Sequence, residues 1–319
     1  MLQLFRNQNP ISLLLLGVIL VFLRLPYMIY ANSGIEVNSW NIPFIGTHAQ
    51  IFIVVGIIFA QAIWINYIFT DAKLLEEKTV VPALIWILVT SIDLEVYMID
   101  SSLVISTILL AIIHIFILNP SNSISIRRCF QLGILNAILL LIEPSFVIFI
   151  PIIILMIYNV NAKGIREYLV FFIGIIMVLF WFWTFSYLFE SEVVWREKLI
   201  AQFRLPSYHF TSYEYVIWGI LAVFAVWGAI KMLMLTNSAS LILKKNVNTF
   251  LLMSIGILLV ILVSTGWDTE NNVILLIPLT FFTSIVLLII RKTKWAELAF
   301  GIFVVAILSS IILTLLRIL

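Results

Sequence analysis

Long apolar runs recur along the whole chain, and they constrain its fold more than any other feature. A run of about 18 or more apolar residues is typical of a helix that crosses a membrane, and such runs begin near residue 11 and continue to residue 316. Only 11% of the 319 residues are charged, whereas soluble domains carry roughly a quarter. The sequence therefore excludes a soluble globular domain and predicts a polytopic membrane protein.

The apolar runs are continuous, without the alternation of a membrane β-strand, so we expect an all-α fold. The pattern predicts one integral-membrane domain, residues 1–319, with about eleven transmembrane or re-entrant helices. The pair around Glu143-Pro144 is short and predicts a bent hairpin or a re-entrant element. The predicted helices are 11–31, 48–69, 80–92, 102–118, 129–142, 144–158, 167–188, 214–235, 249–265, 273–290 and 297–316.

The basic residues predict the orientation of these helices. With a cytoplasmic N-terminus, thirteen of the 18 Lys and Arg residues fall in cytoplasmic segments, and four of the five outer connections contain none. This is the distribution that the positive-inside rule requires. Eleven of the 16 acidic residues fall on the outer side. Since acids follow no orientation rule of their own, this bias indicates that chemistry or binding faces outward.

Arg24 lies within the first apolar run, and Glu36 follows it in the first outer loop. Snorkelling of the guanidinium to the interface would explain Arg24 alone. It does not explain why the next loop holds an acid and no base. We therefore favour an anion-binding arginine beside a general base.

The second outer segment of interest, residues 91–102, contains Asp93, Glu95 and Asp100 and no cation. Uncompensated carboxylates repel one another, which raises a pKa or recruits a cation. The alternative interpretation is a solvated loop whose acids point to water. A divalent metal is one cation that this segment could hold.

Residues 190–210 form the longest outer connection, and their apolar positions recur at helical spacing. The pattern predicts an amphipathic helix lying in the membrane interface. Its cations, Arg196, Lys198 and Arg204, together with His209 suit the phosphate of a lipid. Plain anchoring to anionic headgroups is an equally good interpretation.

Motifs of other protein classes are absent from the sequence. We find no phosphate-binding glycine loop, nucleophile elbow, HExxH zinc motif or paired-cysteine metal site. Nothing in the sequence indicates nucleic-acid binding. The predicted partners are therefore membrane lipids.

Four stretches resemble an uncharacterised inner-membrane family of Bacteroidota. They are LQLFRNQNP, LRLP, GILNAILLLIEPSFVIFIPIIILMI (133–157) and REYLVFFIGIIMVLFWFW (166–183), and the resemblance covers roughly the first 190 residues. It implies a multi-pass protein of the bacterial inner membrane, and it supplies no activity.

The layout is also similar to GT-C glycosyltransferases, which use polyprenyl-phosphate sugars. There, an arginine near the outer end of the first helix precedes an acid in the first outer loop, and a second acidic patch precedes the fourth helix. Residues 133–145 resemble the glycine-led hairpin of that class, and residues 271–289 its late helix with a central proline, here Pro278. The resemblance implies Glu36 as catalytic base and Glu95 or Asp100 as its assistant or as metal ligands. It implies phosphate contacts from Arg24, Arg196, Arg204 and His209.

Departures from that pattern keep a second hypothesis open. Glu36 stands alone where an Asp-Glu pair is common, and Asn271-Asn272 replaces an Arg-Tyr before the late proline. The sequence thus predicts a glycosyltransferase acting on a lipid-linked sugar at the periplasmic face. The alternative is a non-catalytic membrane scaffold or assembly component with a degenerate transferase-like fold. A transporter or flippase ranks last, because the spans contain few polar groups.

Overall fold

The computed structural model describes residues 2–6, 9–30, 47–74, 79–92, 99–117, 124–160, 164–189, 212–236, 240–263, 272–290 and 293–318. Within these ranges the secondary structure is helical, which confirms the all-α prediction. The helices are α1 (Leu2–Arg6), α2 (Pro10–Tyr30), α3 (Thr47–Asp71), α4 (Val81–Thr90), α5 (Ser101–Ile117), α6 (Ile126–Ile142), α7 (Phe149–Asn159), α8 (Ile165–Leu188), α9 (Ser212–Leu235), α10 (Leu241–Val263), α11 (Asn272–Ile289) and α12 (Thr293–Ile318). A 3₁₀ helix, Pro144–Ile148, precedes α7.

Within the described ranges, five helices are long and apolar enough to cross a membrane, so the protein is a membrane protein. They comprise residues Ala49–Asp71, Ile165–Leu188, Val216–Leu235, Leu241–Val263 and Lys294–Leu313. Shorter apolar helices include Val81–Thr90 and Ser101–Ile117. Each of the eleven predicted segments coincides with a helical region. That all eleven cross or re-enter the membrane stays a prediction, as does the GT-C-like arrangement.

Helix α10 differs most from its predicted bounds, because it begins at Leu241 and not at residue 249. Apolar content marks the part of a helix at membrane depth, whereas capping groups mark where the helix begins. Here the Ser240 hydroxyl accepts a hydrogen bond from the Leu243 amide at 3.4 Å. The first two turns therefore carry Lys244 and Lys245, which the apolar pattern places outside the span.

The chain divides into two compact units. Unit 1 comprises Met1–Ser106, Phe210–Ala239 and Asn272–Leu319, and unit 2 comprises Thr107–His209 and Ser240–Asn271. The expectation of one integral-membrane domain stays a prediction. The predicted interfacial segment at 190–210 lies outside the described residues.

Helix α4 forms the core of unit 1. All ten of its residues are buried, including Trp86, and it contacts α1, α2, α3, α11 and α12. A helix that is apolar on every side is stable only when it is surrounded. The rings of Phe69 in α3 and Phe281 in α11 stack beside it at 6.3 Å. Unit 1 is thus organised around a short central helix.

Unit 2 depends on a close crossing of α6 and α8 at two glycines. A Cβ atom at Gly133 would lie 2.2 Å from the Phe171 carbonyl oxygen, and one at Gly174 would lie 2.6 Å from the Phe130 carbonyl oxygen. Small residues allow helix backbones in membranes to approach in this way. No side chain larger than hydrogen fits at either position without moving one helix.

We expect Gly133→Ala to destabilise the protein, because the added methyl group overlaps a backbone oxygen that cannot rotate away. The cost of such overpacking is about 1–3 kcal/mol, measurable as a lower Tm of the detergent-solubilised protein. The matched control is Gly56→Ala in α3, where an added Cβ meets nothing within 4 Å. Equal melting temperatures for the two variants would contradict the close crossing.

Candidate functional site

Arg24 is a completely buried cation on α2, with 0% of its surface exposed. Its Nη2 donates a hydrogen bond to the carbonyl oxygen of Thr90, the last residue of α4, at 2.8 Å. The last four carbonyls of a helix have no partner within the helix. A cation at this end also interacts favourably with the helix dipole. Arg24 therefore caps α4.

The remaining carbonyls at this end of α4 are satisfied locally. The Thr90 hydroxyl donates to the Trp86 and Ile87 carbonyls at 2.8 and 3.2 Å, and the Ser91 hydroxyl donates to Ile87 at 2.7 Å. Backbone amides of Ser91 and Ile92 complete the Leu88 and Val89 carbonyls at 3.2 and 3.1 Å. Arg24 thus binds the one carbonyl at this helix end, that of Thr90, for which the described local residues provide no donor.

The opposite end of α4 is held by α1. The Phe5 carbonyl accepts from the Val80 amide at 2.9 Å and from the Thr79 hydroxyl at 3.1 Å. The Thr79 oxygen in turn accepts from the Val81 amide at 3.2 Å. Residues near the N-terminus therefore complete both ends of the central helix.

Arg6 repeats the role of Arg24 on a second helix. Its Nη2 donates to the carbonyl oxygens of Leu287 and Ile290 at 3.0 and 3.1 Å, at the end of α11. Guanidinium groups suit this role because several fixed N–H donors can reach neighbouring carbonyls. Two arginines from the beginning of the chain thus cap two helices of unit 1.

Asp100 is the second predicted site residue within the described part of the chain, and it is the N-cap of α5. Its Oδ1 accepts from the Ser101 amide and from the Ser101 hydroxyl at 3.0 Å. Its Oδ2 accepts from the Ser102 amide at 3.2 Å and from the Ser102 hydroxyl at 2.7 Å. Both oxygens are therefore engaged, and the side chain is only 4% exposed. The described contacts are those of a helix cap, and a catalytic or metal-binding role stays a prediction.

Arg24 binds a carbonyl that lies close in sequence to the predicted acidic segment. The guanidinium binds Thr90, and α5 starts after Asp100, so Thr90 and Asp100 stand on either side of the segment that contains Asp93 and Glu95. The other predicted site residues fall outside the described residues: Glu36, Glu95, Arg196, Arg204 and His209.

The described ranges contain no cluster of side chains that could hold a metal ion. No group of three His, Cys, Asp or Glu side chains comes together among them.

Glu143 is half-buried in the turn after α6, where its carboxylate accepts from the Ser145 hydroxyl at 3.1 Å. Its extended backbone, with φ −138° and ψ 104°, is the conformation that a following proline favours. Glu143 therefore lies at the bend between α6 and the 3₁₀ helix.

Sequence reasoning missed a buried amide contact between α3 and α5. Gln61 is 2% exposed, and its Nε2 donates to the Ser106 hydroxyl at 3.1 Å and to the Leu103 carbonyl at 3.4 Å. Polar side chains at membrane depth are costly unless they find such partners. The available signal is the spacing of Gln50 and Gln61, which places both buried amides on one helix face.

The chain belongs to the DUF6427 family, a family of unknown function, which it matches over residues 1–318. No curated protein matches the chain, and no solved structure matches it. Membership confirms the resemblance to an uncharacterised family, whereas the similarity to GT-C enzymes stays a prediction.

We expect Arg24→Met to lower the stability of the protein, because the buried Thr90 carbonyl loses its partner. An unsatisfied buried acceptor costs about 1–3 kcal/mol, which a Tm measurement in detergent would detect. Arg127→Met removes an exposed arginine of α6 and serves as control, with no comparable change expected. A wild-type Tm for Arg24→Met would show that the cap is dispensable.

Two substitutions at Asp100 separate capping from chemistry. Asparagine caps helices about as well as aspartate does, and alanine does not, at a cost of about 1 kcal/mol. Asparagine has one acceptor oxygen, which can serve the donors of Ser101 or those of Ser102 but not both, so we expect Asp100→Asn to melt between the wild type and Asp100→Ala. If asparagine and alanine destabilise equally, the carboxylate charge matters beyond the cap.

Proposed function

We propose that the protein is a membrane glycosyltransferase that uses a polyprenyl-phosphate sugar on the periplasmic face of the bacterial inner membrane, with its N-terminus in the cytoplasm. The observation that supports this most is the contact of the buried Arg24 with Thr90. Asp93 follows Thr90 by three residues in the sequence and Glu95 by five. A desolvated cation that binds three residues before an acidic stretch of the sequence is a suitable partner for a charged leaving group.

In the proposed reaction Glu36 accepts the proton of an acceptor hydroxyl. The hydroxyl oxygen then bonds to the anomeric carbon of the sugar. The bond between that carbon and the phosphate oxygen breaks, and the lipid phosphate leaves with the electron pair. Positive charge stabilises this leaving group, and the candidate residues for it are Arg24, Arg196, Arg204 and His209.

The contacts of Asp100 refine the assignment of the second acid. Because four hydrogen bonds engage both oxygens of Asp100 in the cap of α5, we propose Glu95 as the assisting acid or divalent-metal ligand. Asp100 then positions the segment that carries Glu95.

The test is sugar transfer in membrane vesicles supplied with a panel of radiolabelled polyprenyl-phosphate hexoses. Removal of a general base lowers rates by about 10²–10⁴-fold, so we expect Glu36→Gln to lose transfer while its expression and Tm remain unchanged. Glu77→Gln, in a predicted cytoplasmic loop, is the matched control and should transfer normally. Wild-type transfer by Glu36→Gln would exclude the proposed base.

A specific observation favours a second candidate, a non-catalytic membrane scaffold or assembly component. The two predicted site residues within the described ranges, Arg24 and Asp100, both act as helix caps. Helix capping is sufficient to explain why each charge is buried. Absence of transfer by the wild-type protein across the whole panel would favour this candidate over the transferase.

A further inference from the structure

Unit 1 contains an apolar groove, and neither of the predicted site residues in the described ranges, Arg24 and Asp100, lines it. Its volume is about 670 Å³, and its walls are α9, α12 and the residue that follows α11. Residues that line it include Val223, Phe224, Trp227, Trp295, Leu298 and Ile302. Since α9 and α12 both contain candidate membrane spans, the groove belongs to the apolar part of the protein.

The groove exists because α9 packs tightly on one neighbour and loosely on the other. Toward α11 the helices touch at Gly228, where a Cβ would lie 2.3 Å from the Phe282 carbonyl oxygen. Toward α12 the contact is made by the rings of Phe224 and Phe303, edge to face at 5.5 Å. Bulky rings hold α9 and α12 apart, and the space between them remains open.

One end of the groove carries positive charge. Lys231 follows Trp227 by one turn and continues the lining face of α9, and Lys294 precedes Leu298 by one turn of α12. Trp227 lies late in α9 and Trp295 early in α12, so the two lysines extend the same end of the groove. Lys231 is half-buried and Lys294 is exposed. The two lysines extend the groove beyond its lining residues, and Glu297 is rotated by about 100° from Leu298 around α12, against about 40° for Lys294.

We propose that this groove binds an acyl chain of an anionic phospholipid whose phosphate is held by Lys231 and Lys294. Basic pockets between membrane helices bind anionic headgroups, and tryptophans such as Trp227 and Trp295 are enriched where chains meet headgroups. The volume is in the range of small-molecule sites, roughly 300–1,000 Å³. The site is independent of the proposed transferase activity.

The lining fits a lipid chain better than a partner helix. Helices that associate in membranes meet through small residues such as Gly, Ala and Ser. This groove is lined by aromatic and branched side chains, with Ala299 as its small residue. A conformationally mobile acyl chain can adapt to such irregular walls.

The experiment is native mass spectrometry of the full-length, delipidated protein titrated with phosphatidylglycerol or with phosphatidylcholine. We expect tighter binding of phosphatidylglycerol. Each lysine near a phosphate contributes about fivefold in affinity, so Lys231→Ala combined with Lys294→Ala should weaken phosphatidylglycerol binding by about 25-fold. Phosphatidylcholine binding should remain unchanged. Lys231→Arg combined with Lys294→Arg keeps the charges and should restore the affinity.

The matched control is Lys244→Ala combined with Lys245→Ala, which removes two charges from α10 in unit 2. It should leave phosphatidylglycerol affinity unchanged. A second variant, Ala299→Phe, fills the groove and should lower the affinity for both lipids. The proposal is overturned if both lipids bind the wild type equally, if the control pair weakens binding as much as the groove pair, or if Ala299→Phe changes only the amount of a dimer.

Discussion

The hydrogen bonds that complete the two ends of α4 are the contacts on which unit 1 depends. This helix has 10 residues, so it is about 15 Å long, half the roughly 30 Å of a bilayer core. Its ends cannot both reach water and must find partners in the protein. Phe5 and Thr79 supply the partners at the start, and Arg24 supplies the last one at the end. The surrounding helices then bury an element whose C-terminal carbonyls are all hydrogen-bonded.

The helix positions were predictable because each membrane helix is a continuous run of apolar residues in the sequence. Apolar stretches interrupted by charge, Asn, Pro and Gly correspond to the helical regions, and the continuous character of these stretches predicts helices instead of strands. The start of α10 was not predictable from apolar content, since Lys244, Lys245 and Asn246 interrupt the apolar residues of its first two turns. Hydropathy reports depth in the membrane, and helix ends are set by caps.

In the candidate site, the charged residues can be predicted from the sequence, but their hydrogen-bond partners cannot. Arg24 and Asp100 are visible as charges in an apolar context, yet their partners are not. The carbonyl that Arg24 binds lies 66 residues further along the chain, and a carbonyl has no signature in a sequence because every residue has one. The Asp100 cap was more accessible, since an acid followed by two serines before an apolar run is a typical helix start. The same residues therefore indicate a helix cap at Asp100 as directly as they indicate a carboxylate for catalysis.

Arg6 and Arg24 have a consequence for how the protein is made. Both are synthesised before the helices whose ends they complete, α4 and α11, and those helices are separated from them by as many as 284 residues. Chains fold from the N-terminus during synthesis, so the two arginines are already present when α4 and α11 are made. An affinity tag fused close to Phe5 would therefore interfere with the assembly of unit 1 before it affects activity. In the described structure, α7 and α10 of unit 2 make no such contacts with the first residues and would assemble normally.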